Sequence, residues 1–317
     1  MTLTMPSPDA PLNIGTRGSP LALAQAYETR ERLMGAFDLP KAAFNIVVIK
    51  TTGDDRALID ADRPLKEIGN KGLFTKEIEE ALLSGSIDIA VHSMKDMPTA
   101  QPDGLLLDTF LPREDVRDAF VSPHFDSIDA LPAGTVVGTS SLRRKAQLLN
   151  KYPNLTVVEF RGNVQTRLQK LTDGVAACTF LAMAGLNRLG NSNVATAAID
   201  PTAMLPAVAQ GAIGIERRQD DTRAAHLLTA LHDTETGHRL TAERAFLARL
   251  DGSCETPIAA LATLKDDTLT LRGEILRPDG SESLYDTVSG PIAEAKSLGV
   301  TLADILRNRA PDGFFDW

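Results

Sequence analysis

The chain has 317 residues, 43% of them apolar and 24% charged, with a formal net charge of -9. That length exceeds what one hydrophobic core can organise and calls for two or three domains, and the composition excludes a fibrous or largely disordered protein. The negative balance excludes a general binder of nucleic acid or anionic membrane, which needs a basic field, so any anion site is local. Residues 1–13, with Pro6, Pro8 and Pro11, lack the basic patch and apolar core of a secretion signal, and no membrane span is visible; a cytoplasmic protein is expected. Two cysteines far apart, Cys178 and Cys254, and five scattered histidines give neither a disulfide framework nor metal-ligand spacing.

In chain order, Leu12–Arg17 leads into Gly18-Ser19-Pro20 and a helix running to Met34. Ser19 is placed as N-cap with Pro20 at the first helical position, so free backbone N–H groups and Arg17 point toward one spot, an anion pocket in outline. Phe44–Thr52 reads as a strand, and residues 54–66, rich in Asp and Arg, as a mobile surface loop. Gly69-Asn70-Lys71-Gly72 precedes a helix over 73–84, but the spacing is not that of a P-loop, which argues against nucleotide hydrolysis. Ile87–Val91 is a β-branched, buried strand that stops where Lys95-Asp96 precedes a proline. In an α/β sheet ligands bind beyond the carboxyl ends of the strands, so Lys95 and Asp96 form a candidate acid/base or charge-stabilising couple.

Short apolar runs at 105–111 and 119–122 flank a charged link, 112–118, read as a crossing between domains. The second unit repeats the design: strand 136–141 into helix 142–149, strand 157–160 into a helix from Val164. Arg143, Arg144, Arg161 and Arg167 gather at these strand-to-helix junctions, where a cation is unfavourable with the helix dipole unless an anion lies between. Arginine's planar fork suits carboxylate or phosphate, so an acidic ligand is expected there. Cys178, inside an apolar strand, reads as an inert core thiol. Residues 204–216 look like a segment returning the chain to the first unit. Helices over 222–231 and 237–250, strands 268–276 and 285–288 joined by Pro278-Asp279-Gly280, and a helix over 293–307 make a small closing α+β domain.

Cys254 lies just past a helix end between Asp251 and Glu255, a setting that opposes a ready thiolate, which leaves a plain loop cysteine or a covalent attachment point.

Six motifs, in order, resemble those of hydroxymethylbilane synthases, also called porphobilinogen deaminases: Thr16-Arg17-Gly18-Ser19-Pro20-Leu21-Ala22-Leu23, Gly69-Asn70-Lys71-Gly72-Leu73-Phe74-Thr75-Lys76-Glu77, Ala90-Val91-His92-Ser93-Met94-Lys95-Asp96, Gly138-Thr139-Ser140-Ser141-Leu142-Arg143-Arg144, Arg161-Gly162-Asn163-Val164 and Gly252-Ser253-Cys254. The resemblance implies an α/β fold of three domains: 12–111 plus 206–228, 117–205, and 232–317. The first two would be similar to type II periplasmic binding proteins, with the active site in the cleft between them, and the third a small α+β domain bearing the cysteine loop. It implies a dipyrromethane cofactor joined to Cys254 by a thioether, stepwise addition of four porphobilinogen units with loss of ammonia, and hydrolytic release of the linear tetrapyrrole. Asp96 matches the catalytic carboxylate, with Arg17, Ser19, Lys71, Lys95, Ser141, Arg143, Arg144, Arg161, Arg167 and Arg188 as partners for cofactor and substrate carboxylates. No metal, nucleic acid or membrane enters, and a monomer is expected. The competing reading is a two-lobed module that binds a small anion without chemistry, since fold alone does not fix function.

Overall fold

The computed structural model describes residues 4–52, 75–252 and 256–315. Lys71, Cys254 and the loop expected over 54–66 lie outside the described residues. β1 (Leu12–Arg17) runs through Gly18 to Ser19, whose hydroxyl accepts from the Ala22 N–H at 3.2 Å and caps α1 (Pro20–Phe37). α1 ends at Asp38 in the left-handed region, and β2 (Phe44–Ile49) pairs parallel to β1. α2 (Lys76–Leu83) carries Ile78 and Leu82 inward and leads to β3 (Ile89–Ser93), which pairs parallel on the other side of β1. A 3-10 turn, Met94–Asp96, takes the chain off the end of β3, and β4 (Leu105–Phe110) follows.

β5 (Asp118–Val121) opens a second sheet. Into it come β6 (Val136–Gly138), α3 (Leu142–Lys151), β7 (Thr156–Val158), α4 (Val164–Thr172), β8 (Cys178–Ala182), α5 (Met183–Arg188) and β9 (Ala197–Ala198). β6 pairs parallel with β7 and β8, whereas β5 is antiparallel to β8 and β9. β10 (Ile213–Arg218) then completes the first sheet between β3 and β4, antiparallel to both.

The two five-stranded sheets therefore share one plan: the orders are β2-β1-β3-β10-β4 and β7-β6-β8-β5-β9. In each, two βαβ steps fan out from a central parallel strand, and the one antiparallel inner strand comes from the segment entering from elsewhere in the chain. Both sheets are covered on two faces. The first has Leu33 of α1 with the later Leu227 and Leu228 on one side and Ile78 and Leu82 on the other; the second has Leu171 and Leu186 against Leu148 and Met204. This doubly covered arrangement is what makes the parallel strands read as continuous apolar runs.

α6 (Thr222–Thr229), α7 (Thr234–Arg249), β11 (Ile258–Lys265), β12 (Thr268–Leu276), β13 (Ser283–Pro291) and α8 (Ala295–Arg309) complete the chain. β11, β12 and β13 form a separate antiparallel sheet of three strands. The sequence reading named only two of them. β11 escaped because its first five residues, Ile258–Ala262, are all buried, so the run lacks the alternation that marks a one-sided strand. By contacts, the described residues of 1–56, 70–114 and 212–237 make one compact unit, and those of 115–211 and 238–317 another.

Within the second unit, α7 and α8 meet at Gly299. A Cβ there would lie 2.3 Å from the Ala242 carbonyl oxygen and 2.8 Å from the Ala245 Cβ. Gly299→Ala is thus expected to lower stability by about 1 to 3 kcal/mol, against alanine's better helix propensity, because the clash is with backbone. A urea unfolding midpoint at or above that of the parent chain would contradict the packing.

Candidate functional site

In the first unit, Arg17, Ser19, Gln25, His92, Ser93 and Asp96 line one open recess, together with Thr75 and the apolar side chains of Leu21, Val91 and Met97. The geometry follows from the sheet. β1 and β3 are adjacent and parallel, so their carboxyl ends deliver Arg17 and the Met94–Asp96 turn to the same edge. The capped start of α1 adds its backbone N–H groups at that edge. Among the described residues Asp96 makes no hydrogen bond or ion pair, although it is half-buried. Lys95 precedes it in the same turn. A half-buried carboxylate without a protein partner, beside a guanidinium and a helix start, suits a ligand that carries both charges.

In the second unit, Ser141 caps α3, its hydroxyl accepting from the Arg144 N–H, and Asn163 caps α4 by accepting from the Thr166 N–H. These two helix starts follow the parallel strands β6 and β7, which brings four arginines to one end of the sheet. Arg143 and Arg144 are only 4% and 5% exposed. Arg143 donates from Nη2 to Asp118 Oδ2 at 2.7 Å and from Nη1 to the Leu205 carbonyl at 2.8 Å. Arg144 donates from Nη2 to Asp118 Oδ1 at 2.7 Å and from Nη1 to the Phe180 carbonyl at 2.8 Å. Gln210 adds a bond to the same Asp118 oxygen at 3.0 Å. Burial works against the Asp118 charge, but the two guanidiniums and these hydrogen bonds outweigh it and hold the carboxyl far below the ordinary carboxylate range.

This changes the reading of the first two arginines. The sequence argument required an anion between the helix start and the cations, and assigned it to a ligand; the structure supplies Asp118 from β5. The carboxylate comes from 25 and 26 residues away, which no local pattern discloses. One atom among these stays open to a further acceptor, and one guanidinium is crowded by like charge. Arg143 Nε is buried with no hydrogen-bond partner among the described residues. Arg167, on α4, is pushed down to about 10 by burial and then by the charges of Arg144 and Arg161, with Glu159 opposing. Its Nε donates to the Gly162 carbonyl at 3.0 Å. Arg161 is buried and follows β7, and Arg188, at the end of α5, donates to the Gly211 carbonyl at 3.1 Å.

Among the described residues the four arginines face Asp118, Glu159 and, beside Arg143, Glu274, and Arg143, Arg144, Arg161 and Arg167 still lie close enough to repel one another; carboxylates of a ligand would relieve that repulsion. The donor set therefore fits a group bearing several carboxylates. Cys178 has no part in such a site: it is fully buried in β8, and burial pushes its thiol up to about 12.

Residues 12–226 match the family described as "Porphobilinogen deaminase, dipyromethane cofactor binding domain", and residues 238–308 match "Porphobilinogen deaminase, C-terminal domain". The chain belongs to the porphobilinogen deaminase family. It is 66% identical to a porphobilinogen deaminase of Paracoccus denitrificans across 99% of both chains. It is 51% identical to a chloroplastic one of Pisum sativum, over 99% of this chain and 85% of that one. Among solved structures, a periplasmic substrate-binding protein of an ABC transporter from Coxiella burnetii aligns with a TM-score of 0.42 at 15% identity, covering 70% of this chain and 92% of that chain. Membership makes the chain an enzyme of the transferase class with a cofactor-binding domain over 12–226.

Two outcomes test the arginine cluster. Asp118→Asn is expected to cost about 3 to 5 kcal/mol of stability, because it leaves two buried guanidiniums short of charge. Since the folded carboxyl is depressed, its contribution is complete above the unfolded value of about pH 4 and is lost as the pH falls through the folded one. The variant is therefore expected to lose less stability than the parent between neutral and strongly acid pH, as read by denaturant titration across that range. Arg167→Gln is expected to leave the thermal midpoint unchanged or raised, since it relieves repulsion, while weakening carboxylate binding about 10-fold. Calorimetric titration with a dicarboxylate-bearing pyrrole reads the second half; unchanged affinity would count against the cluster as a binding site.

Proposed function

We propose that the chain is a hydroxymethylbilane synthase: it condenses four porphobilinogen molecules head to tail, releasing ammonia at each addition, and frees the linear tetrapyrrole by hydrolysis. The observation that carries the reading is the Asp96 carboxylate in a recess shared with Arg17 and the capped start of α1, within a chain whose two parts match the two domain families of these enzymes. The dipyrromethane cofactor, when bound, supplies a covalent primer whose free pyrrole end accepts the incoming unit. Cys254 is the thioether attachment point in this proposal, and it lies outside the described residues.

Asp96 faces positive charge that develops on the substrate as ammonia departs, and stabilising such charge in a site shielded from water is commonly a large catalytic term. Arg17, Ser19 and Lys95, with Lys71 outside the described residues, are taken as partners for cofactor and substrate carboxylates. Ser141, Arg143, Arg144, Arg161, Arg167 and Arg188 are taken as further such partners. Each porphobilinogen brings acetate and propionate arms, so a growing chain accumulates negative charge, which supports an arginine-rich site in a protein whose net charge is -9. For Arg143 and Arg144 the role is shared with Asp118, which presets both forks.

The proposal includes three domains, 12–111 with 206–228, 117–205, and 232–317, supported by three separate sheets and by family matches that part between residues 226 and 238. It also includes a cytoplasmic monomer acting on a small molecule; no helix among the described residues is long and apolar enough to cross a membrane. The binding-module alternative predicts saturable porphobilinogen binding with no ammonia.

Asp96→Ala is expected to keep the circular dichroism of the parent while lowering ammonia release at least about 100-fold. Activity near the parent level would remove Asp96 from its role. Intact mass of the denatured protein is expected to show a two-pyrrole adduct that maps to the peptide containing Cys254, leaving Cys178 as the one titratable thiol after unfolding. An unmodified chain that gains no mass on incubation with porphobilinogen would favour the binding module.

A further inference from the structure

The Asp96 recess has a second polar wall that the roles above leave unused. His92, on β3, lines it and is 6% exposed, and Glu216, on β10, is fully buried behind it. The two strands are antiparallel neighbours with His92 opposite Gly214, so Glu216, two residues on, projects on the same face. His92 Nε2 lies 3.0 Å from Glu216 Oε2, and Glu216 Oε1 has no hydrogen-bond partner among the described residues. A fully buried carboxyl with one contact makes the most of it by accepting a hydrogen, which places the ring hydrogen on Nε2. In the neutral ring His92 Nδ1 is then an acceptor, and it makes no hydrogen bond among the described residues.

Other groups around the pair do not supply that contact. Gln25 and Ser93 bond each other at 2.9 Å. Glu79, on α2, is an acid whose carboxyl is raised by burial and, more weakly, by Glu216, with the Thr75 side chain and the His92 ring opposing. The recess thus offers two acceptors without donors among the described residues, Asp96 and His92 Nδ1. An ammonium carries three donors and no acceptor, and it matches such a set better than a carboxylate does.

We propose that His92, oriented by Glu216, is a binding residue for the substrate's ammonium group, accepting through Nδ1 beside Asp96. The assignment rests on the reading of the chain as a porphobilinogen-consuming enzyme. Glu216 is a positioning residue: it fixes the ring and its tautomer without meeting the substrate. Gly214 belongs to the same device, because a Cβ there would lie 2.1 Å from the Met94 sulfur, at the start of the turn that carries Asp96.

The test has two readouts. In the unliganded, nitrogen-labelled protein at neutral pH, the imidazole shifts of His92, assigned by their loss in His92→Asn, are expected to report the tautomer protonated at Nε2. The opposite tautomer, or an imidazolium, would overturn the proposal, since neither leaves an acceptor at Nδ1. In kinetics with porphobilinogen, His92→Leu is expected to lower kcat/KM about 10- to 100-fold and to abolish competitive inhibition by ammonium. His92→Asn, whose side-chain oxygen can stand near the Nδ1 position, is expected to recover a substantial part of both. Equal losses in the two variants, or none, would overturn the proposal while leaving the functional reading in place. A parent chain that releases no ammonia from porphobilinogen would overturn both. Should one variant fail to fold, the other supplies the assignment of the His92 signals, and the tautomer of the parent protein still decides.

Discussion

The buried carboxylate of Asp118 is the constraint on which the second unit depends. It stands at the start of β5, the strand by which the chain enters that sheet, and it ties together the start of α3, through Arg143 and Arg144, and the returning segment, through Gln210. A lone buried carboxylate would be prohibitively unfavourable, and so would two buried guanidiniums at a helix start. Together they satisfy one another, with Glu274 adding to the field at Arg143. One arrangement therefore stabilises the sheet edge and, in the proposed function, presets an anion site, and the two purposes are separable by residue: Asp118 is assigned mainly to stability and Arg167 mainly to the proposed site.

The first unit solves the complementary problem. Its recess holds a carboxylate, Asp96, that has no partner among the described residues and shares the recess with Arg17 and a helix start. A substrate with an ammonium and two carboxylates has both signs of charge, and this unit presents both within one recess. Shortage of partners is the shared principle of the two units, since groups that are half-satisfied inside a protein interact strongly with whatever ligand completes them.

Some of this was legible from residue order. Ser19-Pro20 announces a cap and a first helical turn, and the structure has the hydroxyl accepting from Ala22. Strand runs ending in Arg17 and in Lys95-Asp96 announce chemistry at the carboxyl ends of parallel strands. Both signals are local, carried by backbone preference and by the switch from apolar to charged residues. The small closing domain was half legible. β12 alternates and was readable, while β11 is buried on both faces and was not. The partner of Arg143 and Arg144 was not legible at all, because Asp118 sits in a charged link that reads equally well as a solvated crossing. His92 stood inside a motif already singled out, but nothing adjacent pointed to Glu216, which lies 124 positions further on.

Sequence by itself determined the class of fold, the family and most of the strands and helices, because these follow from local propensity, periodicity and motif. Only the tertiary structure decided which charges face one another. Strand pairing brings β5 to β8 and β10 to β3 across long stretches of chain, and burial then converts those meetings into strong interactions. Electrostatic partnership depends on distance and desolvation in space, and neither quantity is written along the chain.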